Sequence, residues 1–114
     1  MTTASEVGES QIQADVRRAL STCDDVTMWR NHVGFDPSTN TRYGLCVGSA
    51  DLVGILAPSG RLLALEVKAP RGRTSEAQDV WMAHVRTMGG FACVVRSPMD
   101  ALLAIARARE GASR

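Results

Sequence analysis

The sequence is short of several things that would decide a function at once. It has three cysteines, Cys23, Cys46 and Cys93, too few and too scattered for a disulfide framework, and no C-x-x-C pair that would mark a zinc knuckle. They read as free thiols. Its two histidines, His32 and His84, are not spaced as a zinc pair. No apolar run reaches the length of a membrane span, and "MTTASEVGESQ" lacks the charged and apolar regions of a signal peptide, so a cytoplasmic protein is expected. A formal net charge of +1 gives no overall electrostatic signature of a nucleic-acid binder. Any such function must come from local clusters. There is no internal repeat and no low-complexity tract.

What is present is an ordinary globular composition, 45% hydrophobic and 22% charged over 114 residues, enough for one domain with a modest core. Residues 1–8 are small and polar and read as a loose arm, 9–110 as the domain, and 111–114 as a tail. A helix is expected from about Glu9 to Leu20, where Ile12, Val16, Ala19 and Leu20 recur at helical spacing. Glu9 falls on that same apolar face, an odd place for a carboxylate. Residues 26–34 alternate as a strand, 36–41 form a turn, and 42–50 are a short strand or irregular segment. Residues 51–57 and 61–68 flank Pro58-Ser59-Gly60 as a β-hairpin. Ser75 and Gln78 form a capping-box pattern opening a helix over 76–88, with Val80, Trp81, His84, Val85 and Met88 as its stripe and Gly89 as its stop. Residues 91–97 are a buried strand. Ser97 and Pro98 open a last helix. The order is α-β-β-β-α-β-α, an α/β sandwich on a central mixed β-sheet.

The chemistry concentrates at the end of the hairpin. In "LLALEVK", Ala64, Glu66 and Lys68 share one strand face while Leu63, Leu65 and Val67 share the other. A turn centred on Ser59 pairs residues whose numbers sum to about 117 or 118, which sets Asp51 opposite Glu66 or Val67. Opposed side chains have Cβ atoms about 4.5–5.5 Å apart, so Asp51 and Glu66 can reach one ion if they share a face. Two carboxylates that close repel unless one is protonated or a cation lies between them, and a hard divalent ion such as Mg²⁺ suits the oxygens. Lys68 would set an ammonium beside it, able to orient or deprotonate a water or to stabilise a phosphoryl transition state. The bland alternatives are a surface Glu66–Lys68 ion pair, a turn-capping Asp51, and a Glu9 placed by the helix dipole.

"GSAD" at 48–51, "EVK" at 66–68, "GRTSEAQDVW" at 72–81 and "GGFACVV" at 89–95 resemble the VRR-NUC domain, a branch of the PD-(D/E)XK nuclease superfamily. The resemblance runs from Glu9 to about Ala104, and G-x-x-S-x-x-Q with the glycine pair before the last strand makes it more specific than a bare D…ExK. It implies a restriction-endonuclease-like fold and a Mg²⁺- or Mn²⁺-dependent phosphodiesterase acting on DNA. Asp51 and Glu66 match its metal-binding carboxylates, with the Val67 carbonyl as a further ligand. Lys68 matches its catalytic lysine, Glu9 its N-terminal helix glutamate, and Gln78 its helix glutamine facing the site. Glu6 is the rival for the place of Glu9. Ala50 departs from the proline usual before the aspartate.

Arg71 and Arg73, with Lys68 and Ser75, form a basic segment beside this site, suited to phosphate contact, and Gly72 lets its backbone approach closely. One of Arg30, Asn31 and His32 is expected to line the cleft. Trp29 and Trp81 are expected to pack, in the core or at a subunit interface. The resemblance further implies a homodimer acting on branched DNA such as a Holliday junction, in a bacterium or phage-infected cell, with no membrane and no organic cofactor. The alternatives are a flap or restriction-type nuclease using the same site, a non-catalytic nucleic-acid-binding module, and an unrelated α/β protein with a fortuitous motif.

Overall fold

The computed structural model describes residues 8–114. The expected loose arm, apart from Gly8, and the rival carboxylate Glu6 lie outside the described residues. Chain order is α1 (Glu9–Leu20), β1 (Val26–Arg30), β2 (Gly34–Asp36), β3 (Thr41–Tyr43), β4 (Leu52–Leu56), β5 (Arg61–Val67), α2 (Glu76–Thr87), β6 (Phe91–Val95) and α3 (Pro98–Arg109). The central sheet runs β1-β4-β5-β6, antiparallel except for the β5–β6 pair, which α2 joins as a crossover. This mixed sheet between helices is the restriction-endonuclease-like arrangement that the resemblance implied. Among the described residues no helix is long and apolar enough to cross a membrane.

β5 is buried on both faces because it is central, and its near-continuous apolar run is what such a strand requires. Leu63, Leu65 and Val67 pack with Ile12, Val16 and Leu20 of α1 and with Ala101, Ala104 and Ile105 of α3. Ala64 faces the other way, against Ala92, Met82 and Val85 under α2. The helix ends follow local chemistry. Ser75 and Gln78 complete the reciprocal capping box, and Ser97 caps α3 through the Asp100 N–H at 3.1 Å. Gly89, at φ +97°, closes α2 in a Schellman turn in which Gly90 N–H reaches Val85 O at 2.9 Å. Arg61 ties this end of the molecule together, donating to the carbonyls of Gly89, Gly90 and Ala108 at 2.9, 3.3 and 3.1 Å.

Two sequence expectations need correcting. The strand expected over 26–34 stops at Arg30, and the chain then leaves the sheet to form a separate β2–β3 hairpin. Asn31 makes the break: its N–H still reaches Asp51 O at 2.7 Å, but its side-chain amide takes over from the ladder, donating to Ser49 Oγ and Ala50 O. The stripe of α2 is also differently phased. Met82 and Val85 are its buried residues, with Gln78 and Trp81 half-buried beside them, while Val80 is 63% and Met88 72% exposed and His84 faces solvent. The helix is rotated so that Gln78 faces β5, and residues 78, 81, 82 and 85 then follow it inward at helical spacing. Trp29, on edge strand β1, is 53% exposed and lies outside the core. The three cysteines are free, Cys93 among the buried residues.

Candidate active site at the ends of strands β4 and β5

The hairpin adopts the lower of its two expected registers, Leu52 pairing with Leu65, so Asp51 stands one residue beyond the last pair, abreast of Glu66. Asp51 is held there by two bonds. Its Oδ2 accepts from Val67 N–H at 2.8 Å, and its carbonyl accepts from Asn31 N–H. The preceding segment is fixed from both sides. Gly48, at φ +89°, passes so near the first turn of α2 that a Cβ would lie 2.5 Å from Ala77 O, and a side chain there would push the loop off the helix. Ala50, in the position where the resemblance led us to expect proline, is fully buried and bonded through its carbonyl to Asn31. Here the asparagine does the bracing that a fixed proline φ would otherwise supply.

Glu66 is only 2% exposed. Its Oε1 accepts from Gln78 Nε2 at 3.1 Å and lies 3.8 Å from Lys68 Nζ. Its Oε2 is buried and has no hydrogen-bond partner among the described residues. Burial, first, and the neighbouring Asp51 carboxylate push its carboxyl up to about 8, and the Lys68 ammonium only partly offsets them. Lys68 is itself 9% exposed, so this amine is not a solvated surface group. The bland reading of Glu66 and Lys68 as a surface ion pair is thereby set aside.

Gln78 is bound at both ends. Its Oε1 accepts from Ser75 N–H at 2.9 Å while its Nε2 donates to Glu66, so the capping box of α2 fixes which way the amide faces. The Ser75 hydroxyl accepts from Gln78 N–H and serves the same box. Glu9, by contrast, is exposed at the start of α1 and lies outside the buried stripe it was expected to share. A first-turn carboxylate suits the helix dipole, and the turn projects past the layer that buries Ile12. Glu9 and Asp51 line a common cleft with Arg30, and Glu9 Oε1 lies beside Gly72. Among the described residues no three histidine, cysteine or acidic side chains converge as a metal cluster. The close pair is Asp51 and Glu66.

Two clefts meet at Asp51. One runs along α1 past Glu9 and Arg17; the other opens toward His32, Ser49 and Gln78; Arg30, Gln13 and Asp51 line both. Of the three residues left open in the sequence, Arg30 is the cation at the junction, Asn31 is the brace, and His32 lines the second cleft. Gln13, half-buried on α1, was missed, since a lone polar residue on a helix carries no signal of what lies opposite. Arg71 and Arg73 are exposed on the loop after β5.

An oxygen-only pair with one buried, unpartnered carboxylate oxygen, whose carboxyl burial pushes up to about 8, fits a hard divalent ion better than any partner the described residues offer. No curated protein sequence matches the chain. The model of the VRR-NUC domain matches residues 7–99. That match spans the carboxylate pair, Lys68, Gln78 and most of the fold, and the chain belongs to the VRR-NUC family, whose function is of the nuclease type.

Proposed function

We propose that this protein is a divalent-metal-dependent endonuclease that hydrolyses phosphodiester bonds in branched DNA, with a Holliday junction as the specific substrate. The observation that carries the reading is the Asp51–Glu66 pair with the Glu66 Oε2 left unpartnered in the interior. Asp51 and Glu66 would hold Mg²⁺ or Mn²⁺, with the Val67 carbonyl and Glu9 as further ligands. When bound, the ion would neutralise the two carboxylates and polarise the phosphoryl oxygen.

The remaining work falls to the chain's own groups. Glu66 gives up the proton it holds when no cation is near. Lys68, held near Glu66 and largely out of solvent, orients the attacking water and offsets negative charge growing on the phosphoryl group. Gln78 keeps the Glu66 carboxylate in one orientation. Arg30, Arg71 and Arg73 contact flanking phosphates. In-line attack leaves a 5′-phosphate and a 3′-hydroxyl. The branched substrate is supported by the family resemblance and by size: a domain with one four-stranded sheet and three helices has few elements with which to embrace a duplex. A homodimer, with two sites related by a two-fold axis, supplies the symmetry of a four-way junction.

The test is cleavage of labelled four-way junction, flap, single-stranded and linear duplex DNA with Mg²⁺, Mn²⁺ or EDTA, comparing the native chain with Lys68→Ala. Metal-dependent, symmetric nicking of the junction that vanishes in the variant is the expected result. Cleavage of flaps or single strands alone would overturn the substrate while keeping the site. No cleavage, with junctions bound equally by both proteins, would replace the enzyme with a binding module.

A further inference from the structure

The basic loop that follows the site has an anchor that no local sequence pattern announces. β6 runs parallel to β5 with Val95 beside Val67, and Lys68 N–H reaches Val95 O at 3.1 Å. The two strands therefore deliver Lys68 and Arg96 side by side as they leave the sheet. After Lys68 the chain makes a turn closed by a single backbone hydrogen bond, Gly72 N–H to Ala69 O at 2.9 Å. Into this turn Arg96 inserts one nitrogen, Nη1, which donates to Ala69 O at 2.7 Å and Gly72 O at 2.8 Å and lies 3.4 Å from Pro70 O. Three carbonyl oxygens converge on one charged donor.

Arg96 is itself held. Its N–H reaches Asp100 Oδ2 at 2.9 Å, in the first turn of α3. Its guanidinium makes no ion pair among the described residues, so its strong donors go to the turn rather than to a carboxylate. The turn carries Arg71 at its tip, with Arg73 just beyond, both exposed, and Gly72 lies against Glu9. Arg61 collects three carbonyls in a similar way at the opposite end of the sheet, but those belong to helix ends with no chemical group to present.

We infer that Arg96 is a positioning residue that fixes the 69–72 turn and thereby presents Arg71 and Arg73 to nucleic-acid phosphates beside Lys68. The inference rests on the nuclease reading for its ligand. A loop already ordered in the free protein loses less conformational freedom on binding, and the two arginines then contribute more to affinity.

Arg96→Gln and Arg96→Lys test it. Limited trypsin digestion reads the turn without any nucleic acid, because trypsin cuts after Arg71 and Arg73. Loss of the charged hydrogen bonds in Arg96→Gln should speed cleavage at these two positions about tenfold. Arg96→Lys, which keeps the charge without the planar donor fork, should fall between it and the native chain, and it serves in place of Arg96→Gln if that variant does not fold. Affinity for a labelled four-way junction with Ca²⁺ in place of Mg²⁺ should fall about tenfold in Arg96→Gln, and by nothing further when the change is added to Arg71→Ala with Arg73→Ala. Mn²⁺ affinity, read by electron paramagnetic resonance, should stay within about twofold, since Asp51 and Glu66 are untouched. Unchanged proteolysis at the loop, junction losses that add in full, or Mn²⁺ affinity that falls in step would each overturn the positioning role. If the native chain binds no nucleic acid, the nuclease reading fails, and with it the phosphate contact. Proteolysis would still show whether Arg96 orders the turn.

Discussion

The two faces of β5 are built on opposite rules. On one, Leu63, Leu65 and Val67 are fully buried under α1 and α3, with no polar group among them. On the other, Ala64 is succeeded by Glu66 and Lys68 beneath α2, where a carboxylate is 2% exposed and keeps one oxygen without a partner. Burying such a group costs free energy, and a small domain can carry that cost only if its other layer is well packed. The comparison separates what holds the protein together from what it does. A side chain's value to stability and its value to chemistry should diverge according to which face it occupies.

The largest effect expected is on the charged face: Lys68→Ala should lower the rate of DNA cleavage about 10³-fold, with the melting temperature kept at or above that of the native chain. Equal loss of stability would break the comparison, and a thermal melt beside the cleavage assay decides it. The apolar face should answer in the opposite sense. Leu65→Ala removes a fully buried side chain and should cost about 3 kcal/mol in urea unfolding, while the surviving folded fraction still binds Mn²⁺.

Glu66→Gln sharpens the contrast, because it should abolish metal binding and yet stabilise the metal-free fold by about 4 kcal/mol at pH 8. The sign follows from the carboxyl being raised from 4.5 to about 8 in the folded chain. Between those values the folded state holds a proton that the unfolded state has released, so the native chain loses stability as pH rises through the window. In EDTA the Glu66→Gln variant should lack that slope, and below about pH 4.5, where both side chains are neutral, its advantage should disappear. A native chain whose stability rises from pH 5 to 8 would refute the assignment. The smallest effect tests the phase of α2: Val80→Ser, on the outward side, should change stability by no more than about 0.5 kcal/mol, where the stripe read from the sequence would have it costing far more.

Much of this was legible before folding because periodicity and local chemistry are written in neighbouring residues. The alternation in "LLALEVK" assigned the two faces of β5 correctly, the turn residues limited the hairpin to two registers, and the Ser75 to Gln78 spacing marked a helix start that the structure contains. The phase of α2 was not legible, since Val80 and Met88 are as apolar as Met82 and Val85; only the position of β5 and β6 decides which of them it covers. The breaking of the strand at Asn31 was hidden for a similar reason. Its partners, Ser49 and Ala50, are distant in the chain, and nothing in "WRNHV" announces them.

The sequence by itself determined the three helices, the strand that carries Glu66 and Lys68, and a hairpin limited to two registers that bring Asp51 near them, while the β2–β3 hairpin and the choice of register came from the fold. The first three follow from hydrophobic period, turn chemistry and covalent spacing, which act over a few residues. Only the tertiary structure decided that Glu66 is buried with its carboxyl pushed up to about 8, that Gln78 turns its amide toward it, that Glu9 stands across a cleft, and that Arg96 grips the basic turn. Each of those depends on which distant backbone or side chain supplies the missing partner and excludes the water, and that is settled when the layers pack.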